Sequence, residues 1–175
     1  MAKKTAAHAK KAPARKAGTK KVKAIPKGYR SITPYLSVSG AREAVRFYKK
    51  VFGAKEVMRI PMPGGLIGHS ELVIGDSKVM LADEFPEMGF RGPHAVGGTP
   101  VIIHLYVKHV DKVFARALKA GAKERQPLKD QFYGDRSGTL EDPFGHLWNL
   151  STHVEHVSPK EMARRAREAA KAGAA

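Results

Sequence analysis

Gly53-Ala54-Lys55-Glu56 returns letter for letter as Gly121-Ala122-Lys123-Glu124, and the surroundings of the two copies return with it. Upstream of the first, Ile32-Thr33-Pro34-Tyr35-Leu36-Ser37-Val38 alternates apolar and polar residues as a half-buried strand does. Ala41, Ala44, Val45, Tyr48, Val51 and Phe52 then recur at helical spacing. Upstream of the second, Val101-Ile102-Ile103-His104-Leu105-Tyr106-Val107 leads into Val110, Val113, Phe114, Ala117 and Leu118 on the same helical stripe. Each helix is expected to stop at its repeated Gly, the residue that most readily takes the left-handed C-terminal position. The chain therefore reads as a tandem repeat.

After the first helix come Lys55 to Met62, a turn at Pro63-Gly64-Gly65, Leu66 to Ile74, a turn at Gly75-Asp76, and Ser77 to Asp83. That is strand, turn, strand, turn, strand, with turn chemistry at each break. Glu84 to Pro100, rich in Pro and Gly, reads as the loop between modules. The second module repeats the order with strands near Lys123 to Pro127, Ser137 to Glu141 and His146 to Thr152, the last after a turn at Asp142-Pro143-Phe144-Gly145. Val38 and Val107 lie 69 apart, as do Asp76 and Gly145, so Met80 and Asn149 correspond. The fold class is α+β, two tandem βαβββ modules over about 28–84 and 100–157.

Composition bounds the rest. The 175 residues suffice for one domain or two half-domains sharing a core. With no cysteine, disulfides, thiolate metal sites and cysteine nucleophiles are excluded. The net charge is +16, and residues 1–30 hold nine Lys with Arg15 and Arg30 and no acid, which is eleven of the sixteen. Residues 1–27 have almost nothing to bury and read as a disordered basic tail. Through residues 1–30 the chain could neutralise phosphates of nucleic acid non-specifically. From Ser158, Ser-Pro-Lys-Glu fits a capped helix start, so 158–175 reads as a charged helix. No apolar run approaches a membrane span, and residues 1–30 lack the apolar central stretch of a secretory signal, so the expected location is the cytoplasm.

Thr33-Pro34-Tyr35-Leu36, Phe52-Gly53-Ala54, Gly68-His69-Ser70-Glu71-Leu72, Met80-Leu81-Ala82-Asp83-Glu84, Tyr133-Gly134-Asp135-Arg136-Ser137-Gly138 and Asp142-Pro143-Phe144-Gly145-His146 stand where such patterns stand in one family. The chain resembles the vicinal oxygen chelate superfamily of glyoxalases, extradiol dioxygenases and bleomycin and fosfomycin resistance proteins, most of all its PhnB-like members. The resemblance implies a cupped mixed sheet enclosing a small-molecule cavity, and a homodimer. It also implies a divalent ion held at corresponding points on the first and last strands, where it would act as Lewis acid. Those four points fall on Thr33, Met80, Ile102 and Asn149, of which Met80 and Ile102 offer neither a hard oxygen nor an imidazole.

No cofactor is therefore expected. The alternative is one divalent ion in a displaced site of His69, Glu71 and His104, serving a lyase or dioxygenase. Strand alternation assigns Thr33, Tyr35 and Ser37, with Ile102, His104 and Tyr106, to the faces lining the cavity. The candidate general bases are His104 and His69. The candidate ligand contacts are Tyr35, Tyr106, Thr33, Glu71, Asn149 and Trp148, although Trp148 alternates with Asn149 and would then face the helices. A small organic molecule held without the usual metal is the expected function.

Overall fold

The computed structural model describes residues 22–173. The tail expected over 1–27 lies mostly outside the described residues. Module one runs β1 (Tyr35–Val38), α1 (Ala41–Phe52), β2 (Lys55–Pro61), β3 (Ile67–Ile74) and β4 (Ser77–Asp83). Module two runs β5 (Ile102–Tyr106), α3 (Val110–Lys119), β6 (Lys123–Asp130), β7 (Asp135–Glu141) and β8 (Leu147–His153). Between them the expected loop contains a short 3-10 turn and the one-turn helix α2 (Pro93–Val96). The chain continues into α4 (Pro159–Gly173).

Each module folds into its own four-stranded mixed sheet, ordered β1-β4-β3-β2 and β5-β8-β7-β6. The first strand pairs in parallel with the last, Tyr35 opposite Met80 in one sheet and His104 opposite Asn149 in the other. These pairs keep the 69-residue offset.

The repeated glycines act as stops in two ways. Gly53 takes φ 68 directly after α1. α3 ends two residues before Gly121, which turns the chain at φ 100. The start of α1 is held by buried Asp83, whose carboxylate accepts the N–H groups of Gly40 at 3.1 Å, Ala41 at 2.8 Å and Ile67 at 2.6 Å. A negative charge suits that end of the helix.

The modules meet through their helices. Tyr48 and Phe52 of α1 pack on Trp148 with ring centroids 5.4 Å and 4.7 Å apart, and Phe47 and Tyr48 reach Phe144. The Tyr48 hydroxyl donates to Asp142 at 2.6 Å, and Arg116 of α3 donates to the Val51 carbonyl that α1 leaves free. One buried cluster joins Val38, Tyr48, Leu72 and Leu81 to Phe114, Leu140, Trp148 and Leu150. Both sheets turn their helix-covered faces to this core and their other faces away from it. Ile32, which shares the apolar alternation of Leu36 and Val38, precedes β1 and is exposed.

Candidate functional site

The outward face of module one follows from alternation and register. Tyr35, Met80 and Glu71 form one row across β1, β4 and β3, while Met58 and Ile60 of β2 face Glu71 and His69. The connecting segment folds back over this face, where Phe85 and Phe90 pair as an isolated bridge around a turn at Pro86–Met88. Together they enclose a cavity of about 570 Å³ lined by Tyr35, Ile60, Met62, His69, Phe85 and Phe90, with Gly68, Ala82, Glu87 and Met88 completing it. Its wall is mainly aliphatic, thioether and aromatic. The polar groups in it are Tyr35, His69 and Glu87.

Tyr35 and His69 are joined. The Tyr35 hydroxyl lies 2.8 Å from His69 Nδ1, and on the other side of the ring Nε2 lies 3.6 Å from Glu71 Oε1. With the ring proton on the Glu71 side, Nδ1 accepts from Tyr35 and the phenol oxygen keeps its lone pairs for a ligand donor. Burial raises the Tyr35 pKa, so the phenol stays neutral near pH 7. Glu71 is buried and anchored by Lys78 at 2.8 Å; Lys78 in turn lies 3.7 Å from the Tyr29 ring centroid. The Lys78 ammonium holds the Glu71 carboxyl below its usual range, and the Tyr29 hydroxyl adds to this.

Module two presents a different outward face. His104, Tyr106, Asn149 and Thr139 share it by register. Asn149 donates to Thr139 at 3.0 Å, and Thr139 donates to Gln126 at 3.1 Å. The Tyr106 hydroxyl donates to buried Asp135 at 2.8 Å, and the other oxygen of that carboxylate contacts His153 Nδ1 at 2.8 Å. This bond to Asp135, before burial, raises the Tyr106 pKa. His104 and Tyr106 have ring centroids 4.7 Å apart, and Tyr106 and Ile102 are exposed.

The structure thus divides the expected site residues. Tyr35, His69 and Glu71 are gathered in module one, the first two on the cavity wall. His104, Tyr106 and Asn149 are gathered in module two. Thr33, half-buried ahead of β1, does not line the module-one cavity.

Trp148 is corrected outright. It is 1% exposed, packs on Tyr48 and Phe52, and donates its indole N–H to Asp142 at 2.9 Å, so it belongs to the core and not to a ligand wall. The residues missed from the sequence are Ile60, Met62, Phe85 and Phe90. The two phenylalanines sit in a segment whose Pro and Gly content signals a loop but not where that loop folds.

The four points that the resemblance assigns to a chelating centre carry Thr33, Met80, Ile102 and Asn149, while the strand pairings set Met80 opposite Tyr35 and Asn149 opposite His104. A thioether, an alkyl chain and two weak neutral oxygens do not fit a hard divalent ion. Among the described residues no three of His, Asp and Glu are grouped as metal ligands, and His69 and Glu71 stand on a different module from His104.

Two βαβββ modules with outward-facing sheet surfaces, one forming an apolar cavity, define a glyoxalase-like protein. The chain belongs to the Glyoxalase/Bleomycin resistance protein/Dioxygenase superfamily, which matches residues 31–150. An uncharacterised protein of Mycobacterium bovis is 45% identical over 135 residues, 75% of this chain and 89% of that one. Among solved structures, TioX from Micromonospora sp. ML1 is similar at 31% identity and TM-score 0.57, covering 70% of this chain and 98% of its own. A Pseudomonas aeruginosa protein is similar at 26% identity and TM-score 0.58, covering 71% and 98%. No helix among the described residues is long and apolar enough to cross a membrane.

Proposed function

We propose that this chain binds a small, largely apolar organic molecule in the module-one cavity, without the metal centre of chelating relatives, and that by its motifs it belongs to the PhnB-like branch. The observation that carries the reading is the cavity itself: about 570 Å³ of mainly apolar wall around the Tyr35–His69 pair. That volume and lining are what drug-sized ligands occupy. Apolar contact with Ile60, Met62, Phe85 and Phe90 supplies affinity. Tyr35, backed by His69 and Glu71, supplies one oriented polar contact that selects a ligand with a hydroxyl or amine donor.

The module-one cavity is open on one side. A second copy would lay its module-two face over it and bring His104, Tyr106 and Asn149 toward the ligand, making the working form a homodimer. Proton abstraction is the second reading, favoured by Glu71 standing behind His69, with His69 or a second copy's His104 as the base.

The test is titration with the fluorescent apolar probe 8-anilinonaphthalene-1-sulfonate. Saturable binding at one probe per chain is expected, weakened roughly tenfold or more by Phe90→Ala through lost apolar contact. Unchanged affinity in Phe90→Ala and Met62→Ala would remove this cavity as the ligand site.

A further inference from the structure

α4 carries a feature the cavity does not use. Lys160, Arg164, Arg167 and Lys171 fall at i, i+4, i+7 and i+11. At 3.6 residues per turn they gather within about 60° of arc along roughly 16 Å of helix. All four are exposed.

The side that touches the domain is the other one. Arg165, half-buried with Ala166, donates to both Glu155 carboxylate oxygens at 2.8 Å and to the Phe132 carbonyl at 3.5 Å. The Ser158 hydroxyl accepts the Glu161 N–H at 3.3 Å and caps the helix. Glu161 and Glu168 border the stripe on one flank and pair with Arg164 and Arg165. The stripe therefore points away from the body on a helix fixed at its base.

We propose that α4 is a phosphate-contacting element that lays this stripe along the backbone of duplex nucleic acid. Duplex DNA presents a charge about every 1.7 Å of its axis, so cations in a straight row of this length meet several phosphates. The first 30 residues add eleven positive charges and no acid, so both ends of the chain are suited to the same polyanion. α4 holds no aromatic side chain for base stacking, which favours a duplex over a single strand. Its large apolar residue is Met162 alone, the others being Ala, which is too little to seat an amphipathic helix in a lipid surface.

The full chain is titrated into a fluorescent mixed-sequence DNA duplex across about 50 to 200 mM salt, the range over which phosphate contacts dominate. The quadruple variant Lys160→Gln/Arg164→Gln/Arg167→Gln/Lys171→Gln keeps good helix formers at all four sites. Its plot of log affinity against log salt should be less steep by about 3 to 4, so the affinity lost across the range shrinks roughly a hundredfold. The control Lys49→Gln/Lys50→Gln/Lys112→Gln/Lys119→Gln removes the same charge from exposed sites on α1 and α3; it should leave the slope unchanged. An unchanged slope in the α4 variant, an equal drop in both variants, or binding to phosphatidylserine vesicles with none to DNA would overturn the proposal.

Discussion

Asp142 ties the two modules with one carboxylate. One oxygen accepts the Tyr48 hydroxyl and the Trp148 indole N–H; the other accepts the backbone N–H groups of Phe144 at 2.9 Å and His146 at 2.9 Å. Burial, and then the Asp142 charge, push the Tyr48 phenol well above its ordinary pKa, so it remains a donor. Asp142→Ala would strand four donors, three of them buried, and should cost about 3–5 kcal/mol in urea unfolding. A loss under about 1 kcal/mol would mean that the contacts are replaced by others. Glu71 sets a pH dependence. Its folded pKa is lowered, so in the acid range the unfolded chain binds more protons and stability rises with pH. The contribution is complete above the ordinary glutamate range and is lost as pH falls through the lowered folded value. Glu71→Gln should flatten the acid limb of stability against pH in urea unfolding; an unchanged limb would show that the Lys78–Glu71 pair contributes nothing there.

Among the elements, the packing of the β6–β7 turn on the segment between β8 and α4 depends on one glycine. Gly134 has φ 97, and a side-chain carbon there would collide with the Glu155 carbonyl and meet Val157 Cγ2 at 3.0 Å. Gly134→Ala should lower stability by about 2–4 kcal/mol. Gly89→Ala, at φ 74 in open space, should cost only the left-handed backbone strain of about 1 kcal/mol. Thermal unfolding separates the two, and equal losses would show that crowding at Gly134 is relieved by movement of the 154–157 segment. Most elements were legible because period-2 alternation and the helical stripe are local. The repeat made each module a check on the other. The expected ligand contacts include Trp148 against its own alternation with Asn149, which points it to the core. The fold of residues 84–100 was not legible, because Phe85 and Phe90 find each other around a turn that no periodicity announces.

For the whole molecule, the faces of each strand could be sorted from sequence, but the docking of the two modules could not. Docking rests on contacts between positions far apart in the chain, such as Tyr48 with Asp142 and Arg116 with Val51. It leaves Ile60, Met62, Ile102 and Tyr106 exposed on the outward faces of a lone chain. If a second copy covers them, Ile60→Glu/Ile102→Glu should convert a dimer to a monomer in sedimentation velocity, with its circular dichroism unchanged. A wild-type chain that sediments as a monomer at high concentration would reject the homodimer. The helix-to-helix docking also separates two kinds of selection. The side chains that would choose a ligand lie across the sheet from those that hold the modules together. Ile60, Met62, Phe85, Met88 and Phe90 are therefore free to drift toward new compounds with little penalty to the core, and such a scaffold can diversify after duplication while its frame stays unchanged.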